Sequence, residues 1–173
     1  MFYKSNYEYE ESYITLNMNK FLLFAFAFIS LPIFAQTWIQ KANIPSGRHH
    51  PVTFSLGGKG YAVTGTQSNG QPTDDFYEYD PVANTWTTLT NFPGAKRSFS
   101  IGTVVNGIAY MGFGQRNGQY LNDLWSYDAQ ADLWTPLSDC GCTGRRHPSF
   151  IGIGNKIYMG LGNDGTGDLK TWW

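Results

Sequence analysis

Residues 75–89 read DFYEYDPVANTWTTL and residues 123–137 read DLWSYDAQADLWTPL. Laid over one another, the two stretches keep Asp, Tyr, Asp and Trp in one register. In the first, Phe76, Glu78 and Asp80 alternate with Tyr77 and Tyr79, the period of two that sends successive side chains of a strand to opposite faces. Asp80-Pro81-Val82-Ala83 then predicts a turn, since proline fixes φ and cannot donate to a β ladder. A second strand opens at Trp86-Thr87-Thr88-Leu89, and its counterpart at Trp134-Thr135-Pro136-Leu137. The stretch is therefore a strand pair, and the chain writes it twice.

The register extends outward on both sides. Trp38, Trp86 and Trp134 are 48 residues apart, as are Tyr79 and Tyr127. Tyr61, Tyr110 and Tyr158 are spaced by 49 and 48, and so are Gly65, Gly114 and Gly162. Arg48, Arg97 and Arg145 each precede the matching tyrosine by 13 residues. Self-similarity at one period signals a repeat architecture. Ahead of each strand pair lies a hairpin, as in Ser98–Gly114, with Asn106-Gly107 at its tip and Gly57-Gly58 and Gly154-Asn155 at the matching tips. Each repeat thus holds four short strands, and no part of residues 36–173 keeps a 3.6-residue period that would indicate a helix.

The glycine closing the second strand, followed by a spaced tyrosine and tryptophan, resembles the kelch repeat. The matches are Gly65, Tyr79 and Trp86 in one copy and Gly114, Tyr127 and Trp134 in the next. The resemblance covers Thr37 to Trp173. It implies an all-β, kelch-type β-propeller, whose four-stranded blades stand around a central channel. Kelch repeats carry a double glycine; here its first position holds Thr64, Phe113 or Leu161. Kelch propellers have six or seven blades. This chain is expected to hold two full blades (about His50–Leu89 and Phe99–Leu137) and a partial third. The third starts at His147 and reaches into a third strand at Asp168–Trp173. The expectation is an open arc, part of a longer protein whose remaining blades lie elsewhere, with Trp38 marking a lone fourth strand.

Residues 18–35 read as a signal peptide. Lys20 supplies the positive charge, Phe21–Ala35 is apolar apart from Ser30 and Pro32, and Ala35-Gln36 is a cleavage point. The apolar run is shorter than the roughly 20 residues needed to span a bilayer, so no stable membrane span is expected. Residues 1–17 carry Glu8, Glu10 and Glu11, which oppose the charge of a signal, and read as an upstream mis-start or a disordered leader. The implied destination is secreted, periplasmic or cell-surface. A net charge of −1 without a basic cluster argues against a nucleic-acid partner.

Candidate site residues come from the repeat. Arg48, Arg97 and Arg145 stand just before the first strand of each blade, which in kelch propellers lies at one mouth of the channel. Converging there, three guanidiniums would suit an acidic ligand; alternatively each pairs with a repeat aspartate or a loop carbonyl. His50 and His147 follow two residues after Arg48 and Arg145, with Phe99 at that place in the middle copy. They could serve proton transfer or metal binding, or line the channel as packed residues, and their blades are separated by the Phe99 blade. Asp75, Asp123 and Asp168 recur before the third strand, a recurrence that serves the blade. Cys140-Gly141-Cys142 leaves open a disulfide, two free thiols or a soft-metal site with His147. Asn163–Asp168 is an oxygen-rich loop best read as a surface turn. No catalytic pair of carboxylates, no metal centre and no cofactor is expected. The reading of function is an exported, non-catalytic binding module for protein or glycan. Its alternative is a sugar-acid mutarotase resembling the N-acetylneuraminate epimerases.

Overall fold

The computed structural model describes residues 37–173. The signal peptide expected at 18–35 and the leader expected at 1–17 lie outside them. Thr37–Gln40 belong to a separate unit from Lys41–Trp173. They form no strand, and the Trp38 indole is 99% exposed, so the lone strand expected there is not formed.

Lys41–Trp173 is built from short strands alone: β1 (Arg48–His49), β2 (Val52–Leu56), β3 (Lys59–Val63), β4 (Thr66–Gln67), β5 (Phe76–Asp80), β6 (Thr85–Thr88), β7 (Ile101–Val105), β8 (Ile108–Gly112), β9 (Gln115–Arg116), β10 (Gln119–Tyr120), β11 (Leu124–Asp128), β12 (Leu133–Leu137), β13 (Ser149–Ile153) and β14 (Lys156–Gly160). Two four-stranded antiparallel sheets, β2-β3-β5-β6 and β7-β8-β11-β12, are the two full blades. The pair β13-β14 begins a third. Their register repeats: Tyr79 faces Trp86 and Tyr127 faces Trp134.

The turns explain why the period is kept. Asn106 and Gly107 are both left-handed, the type I′ geometry that matches strand twist, and Gly57 and Gly58 do the same. After β5, the Asp80 carboxylate accepts from the N–H groups of Val82 and Ala83, and Tyr79 donates to Asn84. After β11, Asp128 accepts from Gln130 and Ala131, and Tyr127 donates to Asp132. The recurring aspartate and tyrosine therefore fix each outer turn.

The blades pack face to face, β2 beside β7 and β7 beside β13, and the described sheets do not close a ring. Val52, Tyr61, Val63 and Phe76 from the first copy, with Phe92, meet Ala109, Met111, Tyr127 and Trp134 from the second. Trp134 is 7% exposed, its ring centroid 5.3 Å from Phe76 and 5.1 Å from Phe92. Trp86 holds the same place in its own sheet yet is only half-buried; among the described residues its outer side meets the segment at Ala42, whose carbonyl accepts from the indole N–H at 3.0 Å, and no second sheet.

The third copy departs from the expected boundaries. Its third strand is met only from Thr171 on: Trp172 bridges Gly160 as Leu124 pairs with Gly112 in the second copy, Trp173 exchanges backbone hydrogen bonds with Met159, and Leu161 donates to the Thr171 carbonyl. Thr171, not Asp168, therefore stands where Asp123 stands. Asp168 lies three residues earlier, bonded to Asn163 in the preceding loop.

Candidate functional site

The arginines do not open onto a channel mouth. Each guanidinium turns inward and repeats one set of bonds. Arg97 donates from Nε to the Ala95 carbonyl, from Nη1 to the Phe113 carbonyl, and from both Nη atoms to the Asp123 carboxylate at 2.5 and 2.6 Å. Arg48 donates to the carbonyls of Ser46 and Thr64 and to Asp75 at 3.0 Å. Arg145 donates to the carbonyls of Thr143 and Leu161 and to the Thr171 hydroxyl. Arg97 is 0% and Arg145 1% exposed. Residues so buried, with their donors committed to the blade, are rivets, the second of the two readings the sequence left open for them.

Electrostatics follow from this. Burial opposes ionisation of Asp75 and Asp123, but hydrogen bonds from Thr73 and Arg48 to the one, and from Arg97 to the other, win and hold both carboxyls below the usual range. Arg145 has only neutral partners, and burial pushes it below the ordinary arginine value, with the charge of Asp164 opposing.

The histidines, by contrast, come together. His50, Phe99 and His147 occupy the same place in three copies, and all three are left-handed, with φ of 53°, 60° and 52°. Their rings meet: His50 to Phe99 at 4.3 Å, Phe99 to His147 at 4.8 Å, and His50 to His147 at 5.3 Å between centroids. The intervening blade does not hold the histidines apart, because these residues lead into the innermost strand of each sheet, where the strands crowd together. His49 completes the group, its Nδ1 2.6 Å from Nδ1 of His50. Burial first, then the neighbouring His49 and His147, push the His50 pKa below its ordinary value. The chain's three histidines are thus all in one cluster. His49 was not singled out in the sequence; the signal that would have found it is its place beside the repeated ring position.

Next to this cluster the chain crosses itself closely. A Cβ on Gly114 would lie 2.5 Å from the Ser98 carbonyl oxygen and 2.9 Å from the Ser100 nitrogen, so only glycine fits at its φ of 95°. Gly114 donates to the Arg145 carbonyl and Gly65 to the Arg97 carbonyl, stitching each copy to the next. Thr64, Phe113 and Leu161, which replace the first glycine of the kelch pair, are left-handed as well, with φ of 60°, 61° and 59°.

Cys140 and Cys142 form a disulfide. Among the described residues no group of three His, Cys, Asp or Glu is placed to hold a metal ion. No described helix is long and apolar enough to cross a membrane. The loop at Asn163–Thr166 is tied by its own side chains, Asn163 accepting from the Gly165 N–H and Asp164 from the Thr166 N–H.

Comparison with known proteins agrees with the fold. One curated relative, the N-acetylneuraminate epimerase of Pasteurella multocida (strain Pm70), is 38% identical over 73 residues, 39% of this chain and 19% of that protein. The solved structure titled "Structure of YjhT" superposes with a TM-score of 0.65 at 18% identity, over 74% of this chain and 49% of that one. The chain spans less than half the length of either, and the second likeness speaks for the fold alone. The family model for the KLHDC2/KLHL20/DRC7 Kelch-repeats domain matches residues 15–162. With its blades, its stitched glycines and its riveting arginines, this chain belongs to that kelch-repeat family.

Proposed function

We propose that the chain is the ligand-binding part of an exported kelch propeller, and that protein or glycan ligands dock where the repeats bring His50, Phe99 and His147 together. The observation that carries this is the backbone at those rings. A left-handed conformation costs a side-chain-bearing residue roughly 1–2 kcal/mol, and glycine would remove that cost. A large ring is kept there in all three copies, and strain of this kind clusters at ligand sites. Flat rings beside imidazole donors suit the apolar face and hydroxyl rim of a sugar or a peptide side chain. The test is a calorimetric screen of glycans and peptides against the chain and its Phe99→Ala and His147→Ala variants. Ligands that bind all three equally would place the site elsewhere. Export is checked by expressing the gene with and without residues 18–35 and locating the product.

A second reading, a sugar-acid mutarotase, is favoured by the match to the N-acetylneuraminate epimerase. Ring opening of a sugar needs a proton given and a proton taken, and a histidine pair can do both near neutral pH. Following anomer exchange of N-acetylneuraminate by NMR, with and without the protein, decides it. An exchange rate unchanged by the protein would leave only the binding reading.

A further inference from the structure

We propose that the histidine cluster is a proton-coupled site for a carboxylate, binding an acidic ligand more tightly as pH falls toward 6. This rests on the proposed docking surface and names the ligand class it takes.

The argument starts from the His49–His50 pair. Two Nδ1 atoms at 2.6 Å must share a proton, one donating and the other accepting. Such a pair takes up a further proton on an outer nitrogen, which strengthens the shared bond. A second would protonate both Nδ1 atoms and destroy it. The pair can therefore take up one positive charge and opposes a second, and the His147 ring lies 5.3 Å from His50.

Among the described residues no carboxylate is bonded to the pair. The aspartates that precede the third strands are committed elsewhere, Asp75 to Arg48 and Asp123 to Arg97. The cations of the neighbouring elements face away as well: Arg48, Arg97 and Arg145 bond inward, and Arg146 reaches Gln115 and lies over Tyr120. The charges bearing on His50 are those of His49 and His147. An exposed positive charge without an internal counter-ion is open to an anion from outside, which a charge-assisted hydrogen bond would hold. Phe99, at 4.3 Å from His50, offers a ring face to the rest of that ligand.

Linkage gives the test. If the ligand draws one proton onto the cluster, its affinity changes up to about tenfold per pH unit. Sodium glucuronate and glucose share a sugar ring and differ in the carboxylate, and both are titrated into the full chain at fixed ionic strength. NMR follows the three histidine Cε1–H signals and calorimetry the affinity. Glucuronate should raise the His50 midpoint and bind more tightly at pH 6 than at pH 7, by up to about tenfold. Glucose should do neither. H50Q should make glucuronate binding flat in pH. The proposal is overturned by a His50 midpoint that stays put while glucuronate is bound, or by a pH dependence that survives in H50Q. Glucose binding at Phe99 without any glucuronate preference would overturn the charge coupling and leave the docking surface standing. Neither sugar perturbing Phe99 or the histidines would count against both.

Discussion

At the scale of single residues, the arginine rivets set what substitutions cost. Arg97 is fully buried and holds two carbonyls and a carboxylate, so Arg97→Leu strands all three partners. The Asp123 side chain is 38% exposed, so the loss in urea denaturation should fall below the about 3–5 kcal/mol of a pair buried on both sides; less than about 1 kcal/mol would mean that the pair behaves as a surface ion pair. Arg145 offers the converse experiment. Thr171 stands where the other copies place aspartate, so Thr171→Asp should add a charge-assisted bond and raise stability by about 1 kcal/mol. The carboxylates also give a pH dependence with a definite sign. Asp75 and Asp123 have folded-state pKa values below their unfolded values, so their contribution is full above the ordinary aspartate range. It is lost as pH falls below about 4 and through the depressed folded values. Melting temperatures should therefore drop in acid, and Asp123→Asn should flatten that drop.

At the scale of elements, the same tryptophan is worth different amounts in different blades. Trp134 is packed between two sheets, and Trp134→Ala should cost about 3–5 kcal/mol. Trp86 meets a sheet on one side only, and the same change there should cost clearly less. Equal losses in denaturant titrations would show that burial between blades is not what the tryptophan supplies. These elements were legible because residues 48 apart repeat both the strand alternation and the turn chemistry, as Asp80 with Tyr79 and Asp128 with Tyr127 show. Three things were not. Asp168 offered a carboxylate at nearly the right spacing and hid Thr171, whose place is fixed by the Trp172 bridge and not by residue type. The meeting of His50 with His147 was hidden because a repeat period gives each strand its place in a blade, while closeness at the inner strands depends on how blades lean together. The direction of the arginines was open for a like reason: sequence offered them both a ligand and an internal aspartate, and only packing decides between the two.

At the scale of the whole molecule, the outer face of the third copy governs behaviour in solution. Between the first and second copies, Phe92 and Trp134 are buried by the sheets on either side. The third copy shows the corresponding surface uncovered: Ile151, Ile153, Trp172 and Trp173 are all exposed, with Ile153 at 60%. Below it an apolar pocket lined by Phe113, Phe150, Ile157, Met159 and Trp173 opens beside the disulfide. Exposed apolar side chains at this density, next to a strand pair with an unpaired edge, favour association over dispersal. Residues 37–173 expressed alone should therefore self-associate at micromolar concentration. Ile151→Lys with Ile153→Lys should reduce this without touching the core between the first two copies, because both side chains already face solvent. Light scattering on the two proteins at equal concentration is the measurement. A monodisperse, cooperatively melting monomer from the unsubstituted stretch would show that this face needs no cover.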